Sequence, residues 1–180
     1  RGGRNYYSLD VSPNASGSPA TIQPKLKWVI SGGTAGTAYQ RLGQTWSTPK
    51  VSKIKWNNSI RDVLIFTGGY DRDHDTIGTN APKADGVGNA LFIADAETGK
   101  LLWRAGSNSD TGANLQITSM TNSMPADPTI VDINGDGLAD IIYASDLRGH
   151  ARAGAAGAGQ RMELGPRAQA RGGRRAPRSQ

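Results

Sequence analysis

Two segments of this chain are each echoed about eighty residues further on, and that recurrence limits the architecture more than any single element does. YYSLDV…PKLKW, from Tyr6 to Trp28, reads like LFIADAETGKLLW, from Leu91 to Trp103. In both, an apolar strand ends in Asp (Asp10, Asp95), a turn follows, and a second strand ends in Trp. STPKV…RDVLIFTGG, from Ser47 to Gly69, is matched in the same way by ADPTIV…ADIIYASD, from Ala126 to Asp146. Sequence recurrence at a fixed spacing marks stacked units that bury their faces against their neighbours. A period near eighty exceeds the ~40–50 residues of a plain propeller blade. Most of the excess falls in the segment Tyr70–Asn89.

The strand signals agree. Apolar, β-branched or aromatic runs stand at Tyr6–Val11, Leu26–Ile30, Val63–Phe66, Ala90–Ala94, Leu101–Trp103 and Ile141–Tyr143, separated by clusters of Gly, Pro, Asn and Asp. No segment sustains a 3.6-residue period, so the chain is expected to be all-β. Hydrophobic residues make up 36% of the chain and glycine fills 24 of its 180 positions, which suits short strands and many turns. The repeat predicts a partial β-propeller of about two blades over residues 1–149: the last two strands of one blade, a four-stranded blade, and the first two strands of a third. A propeller fragment with open ends leaves blade faces uncovered, and the chain opens on Arg1 without a leader-like stretch. Both features are read as those of a piece of a longer protein. The competing expectation is an ordinary sandwich whose short strands resemble one another by chance.

Charge separates the chain into two parts. Residues 1–150 carry 14 Lys and Arg against 14 Asp and Glu, whereas residues 151–180 carry 7 Arg and one acid, Glu163. The net charge of +6 therefore belongs to the last thirty residues and carries no nucleic-acid signal for the folded part. From 150 to 180 the sequence is Arg-, Gly- and Ala-rich, with only Met162 and Leu164 able to join a core. It is expected to be a disordered tail, with a frameshifted gene end as one origin. An RNA-binding arm is the other reading, but the tail has no aromatic to stack a base. No apolar run is long enough to cross a bilayer. The absence of cysteine removes disulfides, thiolate metal sites and thiol catalysis.

The chemistry concentrates in Asp132-Ile133-Asn134-Gly135-Asp136-Gly137-Leu138-Ala139-Asp140. Calcium takes six to eight oxygens in flexible geometry from alternate positions of a tight loop. Asp132, Asn134 and Asp136 hold positions 1, 3 and 5, Gly137 the bend, Leu138 a backbone carbonyl, and Asp140 the closing position 9. A helix–loop–helix site closes on Glu at position 12; here that position is Tyr143, inside a strand. Three carboxylates favour calcium over magnesium. The plain alternative is an Asx-rich turn between two strands. The matching stretch of the earlier repeat, SKIKWNNSIRD, has no alternating acids, so the site belongs to one blade.

Weaker constellations are read conservatively. Asp71, Asp73 and Asp75 alternate, but Thr76 stands at the bend position and no closing acid follows, so a solvated acidic loop is expected, with a second metal site as the alternative. His74 and His150, the two histidines, are expected to be solvated. Trp28, Trp46, Trp56 and Trp103 are expected to be blade core or inter-blade packing. No nucleophile elbow, phosphate loop or zinc-protease motif is present.

Taken in order, LGQTWSTPKV (Leu42–Val51), RDVLIFTGGYD (Arg61–Asp71), GNALFIADAETGKLLW (Gly88–Trp103) and PTIVDINGDGLADIIYASDLRG (Pro128–Gly149) closely resemble the C-terminal propeller of the PilY/PilC family. These are tip-associated adhesins and biogenesis factors of type IV pili. The resemblance implies quinoprotein-like blades on a secreted, non-enzymatic protein at the outer membrane and pilus tip. It also implies partnership with pilus components such as minor pilins, and host-surface contact through an N-terminal domain that this chain lacks. Finally, it implies a calcium site coupling occupancy to pilus extension and retraction, with Asp132, Asn134, Asp136, the Leu138 carbonyl and Asp140 as ligands. After LRGH the family continues with a strand pairing with Ile141–Tyr143, which the tail is expected to replace. Two other classes remain: a quinone-dependent dehydrogenase, whose blades share the D-A-x-T-G-x-x-L-W motif, and a metal-free scaffold propeller.

Overall fold

Val63-Leu64-Ile65-Phe66 and Ala90-Leu91-Phe92-Ile93-Ala94 are apolar at every position. In an extended strand, successive side chains point to opposite faces, so each run presents apolar groups on both sides and needs cover on both. The computed structural model, which describes residues 3–13, 23–76 and 84–155, supplies that cover with three sheets in chain order.

β1 (Asn5–Asp10) and β2 (Lys25–Ser31) form a two-stranded antiparallel sheet. β3 (Lys50–Trp56), β4 (Ser59–Thr67), β5 (Ala90–Asp95) and β6 (Leu101–Gly106) form a four-stranded antiparallel meander, and β7 (Leu115–Gln116) adds a short parallel edge beside β6. β8 (Thr129–Val131), β9 (Ile141–Ser145) and β10 (Ala151–Ala155) form the third sheet, in the order β10-β9-β8. Among the described residues, the regular structure is otherwise a single 3-10 turn, Arg72–Asp75. The protein is all-β. The sheets hold two, five and three strands, where two, four and two were expected; β7 and β10 make the difference.

The central sheet carries a core on each face. Ile54, Val63, Ile65, Leu91 and Ile93 pack with Ala105, Met120, Met124, Ala139, Ile142 and Ala144, joining the central sheet to β8–β10. The alternate residues Phe66, Ala90, Phe92 and Ala94 pack with Ile30, Tyr39 and Leu42, joining it to β1–β2. On that second face, Phe66 stacks on Phe92 at 5.3 Å between ring centres and meets Tyr6 edge-on at 5.0 Å.

Turn chemistry sets the connections. Asn57 and Asn58 both take positive φ, the requirement of a tight hairpin between β3 and β4. At the end of β5, the Asp95 carboxylate accepts the amides of Glu97 and Thr98, as Asp10 accepts that of Ser12 at the end of β1. Gly99 closes the Asp95 turn at φ 68°, with the indole of Trp28 where a Cβ would stand. Trp28 also donates to the Ala96 carbonyl at 3.1 Å. The motif shared by the two echoes thus becomes a contact, the Trp of one unit seated on the turn of the next.

Three expectations are corrected. The strand pattern does not end at His150: Ala151–Ala155 pairs antiparallel with β9 from Ala151↔Ser145 to Ala155↔Ile141. Strand pairing is a backbone interaction, and here one carboxylate organises it. Asp146 Oδ1 accepts the amides of Arg148 and His150, and Oδ2 meets His150 Nδ1 at 2.9 Å and Arg152 Nη2 at 3.1 Å. The folded part therefore runs past 149, and the tail expectation for 156–180 lies outside the described residues. His150 is consequently tied to the Asp146 carboxylate through Nδ1 and is not the free loop side chain expected. Trp46 is not core. It is 40% exposed and stacks flat on Tyr70 at 4.4 Å, whereas Trp28, Trp56 and Trp103 pack against the two cores.

Replacing Phe66 by Ala removes a fully buried ring from the second core and is expected to cost about 3–5 kcal/mol in denaturant unfolding, against a few tenths for Val51→Ala at an exposed position. Burial raises the carboxyl pKa of Asp146, but the amide and imidazole of His150, Arg152 and the amide of Arg148 outweigh it and hold it below the usual value. A carboxylate with a depressed folded-state pKa contributes stability above its unfolded value, and that contribution is lost as pH falls through the folded one. Acid titration of stability should therefore show a loss below about pH 4 that is smaller in Asp146→Asn.

Candidate functional site

β8 ends at Val131 and β9 begins at Ile141, and the loop between them is held from both ends. At its far end, Asp140 N–H donates to the Val131 carbonyl at 3.0 Å, and Ala139 N–H donates across to the Lys53 carbonyl of β3 at 2.8 Å. Ala139 is buried in the first core, while Asp132 to Gly137 are exposed. The loop is thus rooted in packing at its base and free to meet solvent at its tip.

Its path follows from its acids and glycines. Asp132 Oδ1 accepts the Gly135 amide at 2.7 Å, and Oδ2 accepts that of Gly137 at 2.8 Å. Asn134 Oδ1 accepts from Asp136 N–H at 2.9 Å, and Asp136 Oδ1 from Leu138 N–H at 2.8 Å. Asp140 Oδ2 reaches back to the Ile133 amide at 2.8 Å, which closes the ring. Gly135 and Gly137 lie at φ 76° and 83° with nothing within 4 Å of an added Cβ, so backbone conformation alone demands glycine there. The Asp132 carboxyl is held below its usual value by the Gly137 amide, against desolvation, with Gly135 adding to the effect. It is therefore ionised at neutral pH.

The structure brings Asp132, Asn134 and Asp136 into one hydrogen-bonded tip and folds Asp140 onto its start. It does not gather three carboxylates around a common point: among the described residues, no group of three or more His, Cys, Asp or Glu is placed to hold a metal. The donor set is nonetheless all oxygen, the chemistry a hard dication requires. Each carboxylate oxygen that accepts one amide keeps capacity for a second partner.

Among the described residues, the Asp71, Asp73 and Asp75 alternation does not form a second metal site. Asp71 is buried, correcting the solvated loop expected there, because its carboxylate accepts the amides of Asp73 and Gly86 across the base of the insertion. Asp75 turns aside to accept the Tyr70 hydroxyl at 2.8 Å. His74, expected in solvent, pairs with buried Asp85 at 2.8 Å, and Asp85 also accepts the Ser123 hydroxyl at 2.7 Å. Sequence reasoning missed Asp85 and the Lys53–Ala139 bond, since neither belongs to a local pattern.

No family model matches the chain. It is 30% identical over 149 residues to the type IV pilus biogenesis factor PilY1 of Pseudomonas aeruginosa (strain UCBPP-PA14). It is 26% identical over 156 residues to a PilY1 homolog of Xylella fastidiosa (strain Temecula1). Each alignment takes in 83% of this chain, but the chain spans only about a tenth of the length of these relatives. Among solved structures, the crystal structure of the P. aeruginosa PilY1 C-terminal domain matches with a TM-score of 0.55 and 25% identity, over 86% of this chain and 24% of that one. On sequence and fold together, the chain belongs to the PilY1 family and corresponds to part of its C-terminal domain.

Proposed function

We propose that the chain is a portion of a type IV pilus biogenesis factor in which the Asp132–Asp140 loop binds calcium and thereby regulates the domain. The three stacked sheets are read as blades of a partial propeller. The setting is the pilus machinery at the cell surface, with minor pilins as partners and the pilus tip and outer membrane as location. Adhesion and control of extension and retraction are the processes served, without catalysis by this segment. Support comes from the relatives' role in pilus biogenesis and from the fold shared with the PilY1 C-terminal domain. Among the described residues, no helix is long and apolar enough to cross a membrane.

The observation that carries the calcium reading is the anchoring of an all-oxygen loop in two sheets at once. Asp132, Asn134, Asp136, the Leu138 carbonyl and Asp140 would hold the ion. Calcium would replace the amide contacts of the carboxylates in part and fix the tip. Its effect would pass through Ala139, which joins the loop to Lys53 and to the core. A second reading is favoured by the hydrogen bonds themselves: the carboxylates already satisfy the loop's own amides, as a metal-free Asx turn requires.

Thermal unfolding with calcium and with chelator separates the two. An ion that binds only the folded state adds about 2.7 kcal/mol at a hundredfold excess over its dissociation constant, with each kcal/mol raising the midpoint by about 2–4 °C. The rise is expected in the native chain and lost in Asp140→Ala. Equal midpoints with calcium and chelator, or an undiminished rise in the variant, would establish the metal-free turn.

A further inference from the structure

The outer strands β3 and β8 belong to different sheets, and the junction between them is open. One end is tied by the Asp127 carboxylate, which accepts Thr48 N–H at 2.7 Å and pairs with the Lys50 ammonium at 3.2 Å. The other is tied by Ala139 N–H donating to the Lys53 carbonyl at 2.8 Å. Between the ties lies a cleft of about 560 Å³, lined by Val51, Ser52, Pro128, Thr129, Ile130 and Leu138, with Asp132 at the loop end. That volume lies within the range of ligand-binding clefts. Both walls belong to the described chain, one from β3 and one from β8.

The walls offer main chain. The Lys53 carbonyl points away from β4, and hydrogen-bonded and non-bonded pairs alternate along an antiparallel ladder. Val51, two residues earlier, therefore turns its N–H and C=O toward the cleft as well. Across from it, Val131 gives its carbonyl to Asp140 on the β9 side, so the preceding Ile130 faces outward. Two strand edges flanking a cleft of mixed polar and apolar lining are matched by another extended backbone. Charge gives the occupant a direction. Asp127 is already paired with Lys50, whereas the hydrogen bonds of Asp132 and Asp140 go to the loop's own amides.

We infer that the β3–β8 cleft receives an extended segment of a partner protein, β-branched at alternate positions and carrying a lysine or arginine at the Asp132 end. The inference does not rest on calcium and is tested in chelator. The probe is a fluorescent peptide of alternating threonine and valine ending in lysine, titrated against the full chain by anisotropy. The same peptide N-methylated at its valines, and one ending in glutamate, are each expected to bind about tenfold more weakly, the equivalent of one hydrogen bond. Val51→Pro removes an outward N–H while leaving the ladder to β4, and it should weaken the lysine peptide to the same extent. Should Val51→Pro fold poorly, amide exchange in the native chain gives the answer, with Val51 and Ile130 gaining protection when the peptide is added. Failure of the lysine peptide to bind, equal binding of the N-methylated peptide, or unchanged exchange at both amides would overturn the inference.

Discussion

Burial of β4 and β5 on both faces is the constraint on which the rest of the structure depends. Val63 and Ile65 face the β8–β10 sheet, while Phe66 and Phe92 face β1–β2. Removing either flanking sheet would expose a full row of apolar side chains, each contributing about 1.5–3 kcal/mol when buried. The central meander is thus stable only as the middle of three layers. This explains why the sequence repeats: each unit must offer its neighbour a face of the same kind. It also makes the outer faces of the flanking sheets natural contact surfaces for further units of the same type.

Carboxylates perform a second recurring task, ordering the turns between strands. Asp10, Asp95 and Asp146 each sit at or just beyond a strand end and accept amides of the following turn. Asp132 does the same with two amides across a longer loop. The candidate site is therefore an elaboration of the turn chemistry used elsewhere in the chain, with three additional oxygen-bearing side chains in Asn134, Asp136 and Asp140. What distinguishes it is placement. Its root at Ala139 is shared between the core and the main-chain bond to Lys53, at the junction of two sheets.

Much of this was legible in the sequence because it is periodic or local. Runs of apolar residues mark β4 and β5, the Asp–turn–Trp echo marks the pairing of units, and alternate oxygen side chains with two glycines mark the loop. The misses share a physical cause. β10 is built from Ala151-Arg152-Ala153-Gly154-Ala155, which has no strand-like composition, and it forms because the Asp146 turn places its backbone against β9 and its Arg152 against the Asp146 carboxylate and Ser119. Asp71 reads as a surface acid and Asp85 belongs to no local pattern, yet both are buried because amides distant in sequence converge on them. Tertiary hydrogen bonds of this kind leave no trace in spacing or composition.

The account's central claim is that the loop's oxygens converge on one ion without moving its root. Diffraction from crystals grown in calcium, with anomalous data, tests this directly. The account predicts a single ion with ligands at about 2.3–2.6 Å from Asp132, Asn134, Asp136, the Leu138 carbonyl and Asp140, and an intact bond between Ala139 and Lys53. Saturating calcium with no ion in the loop, and carboxylates still resting on the amides of Gly135, Gly137 and Leu138, would contradict it.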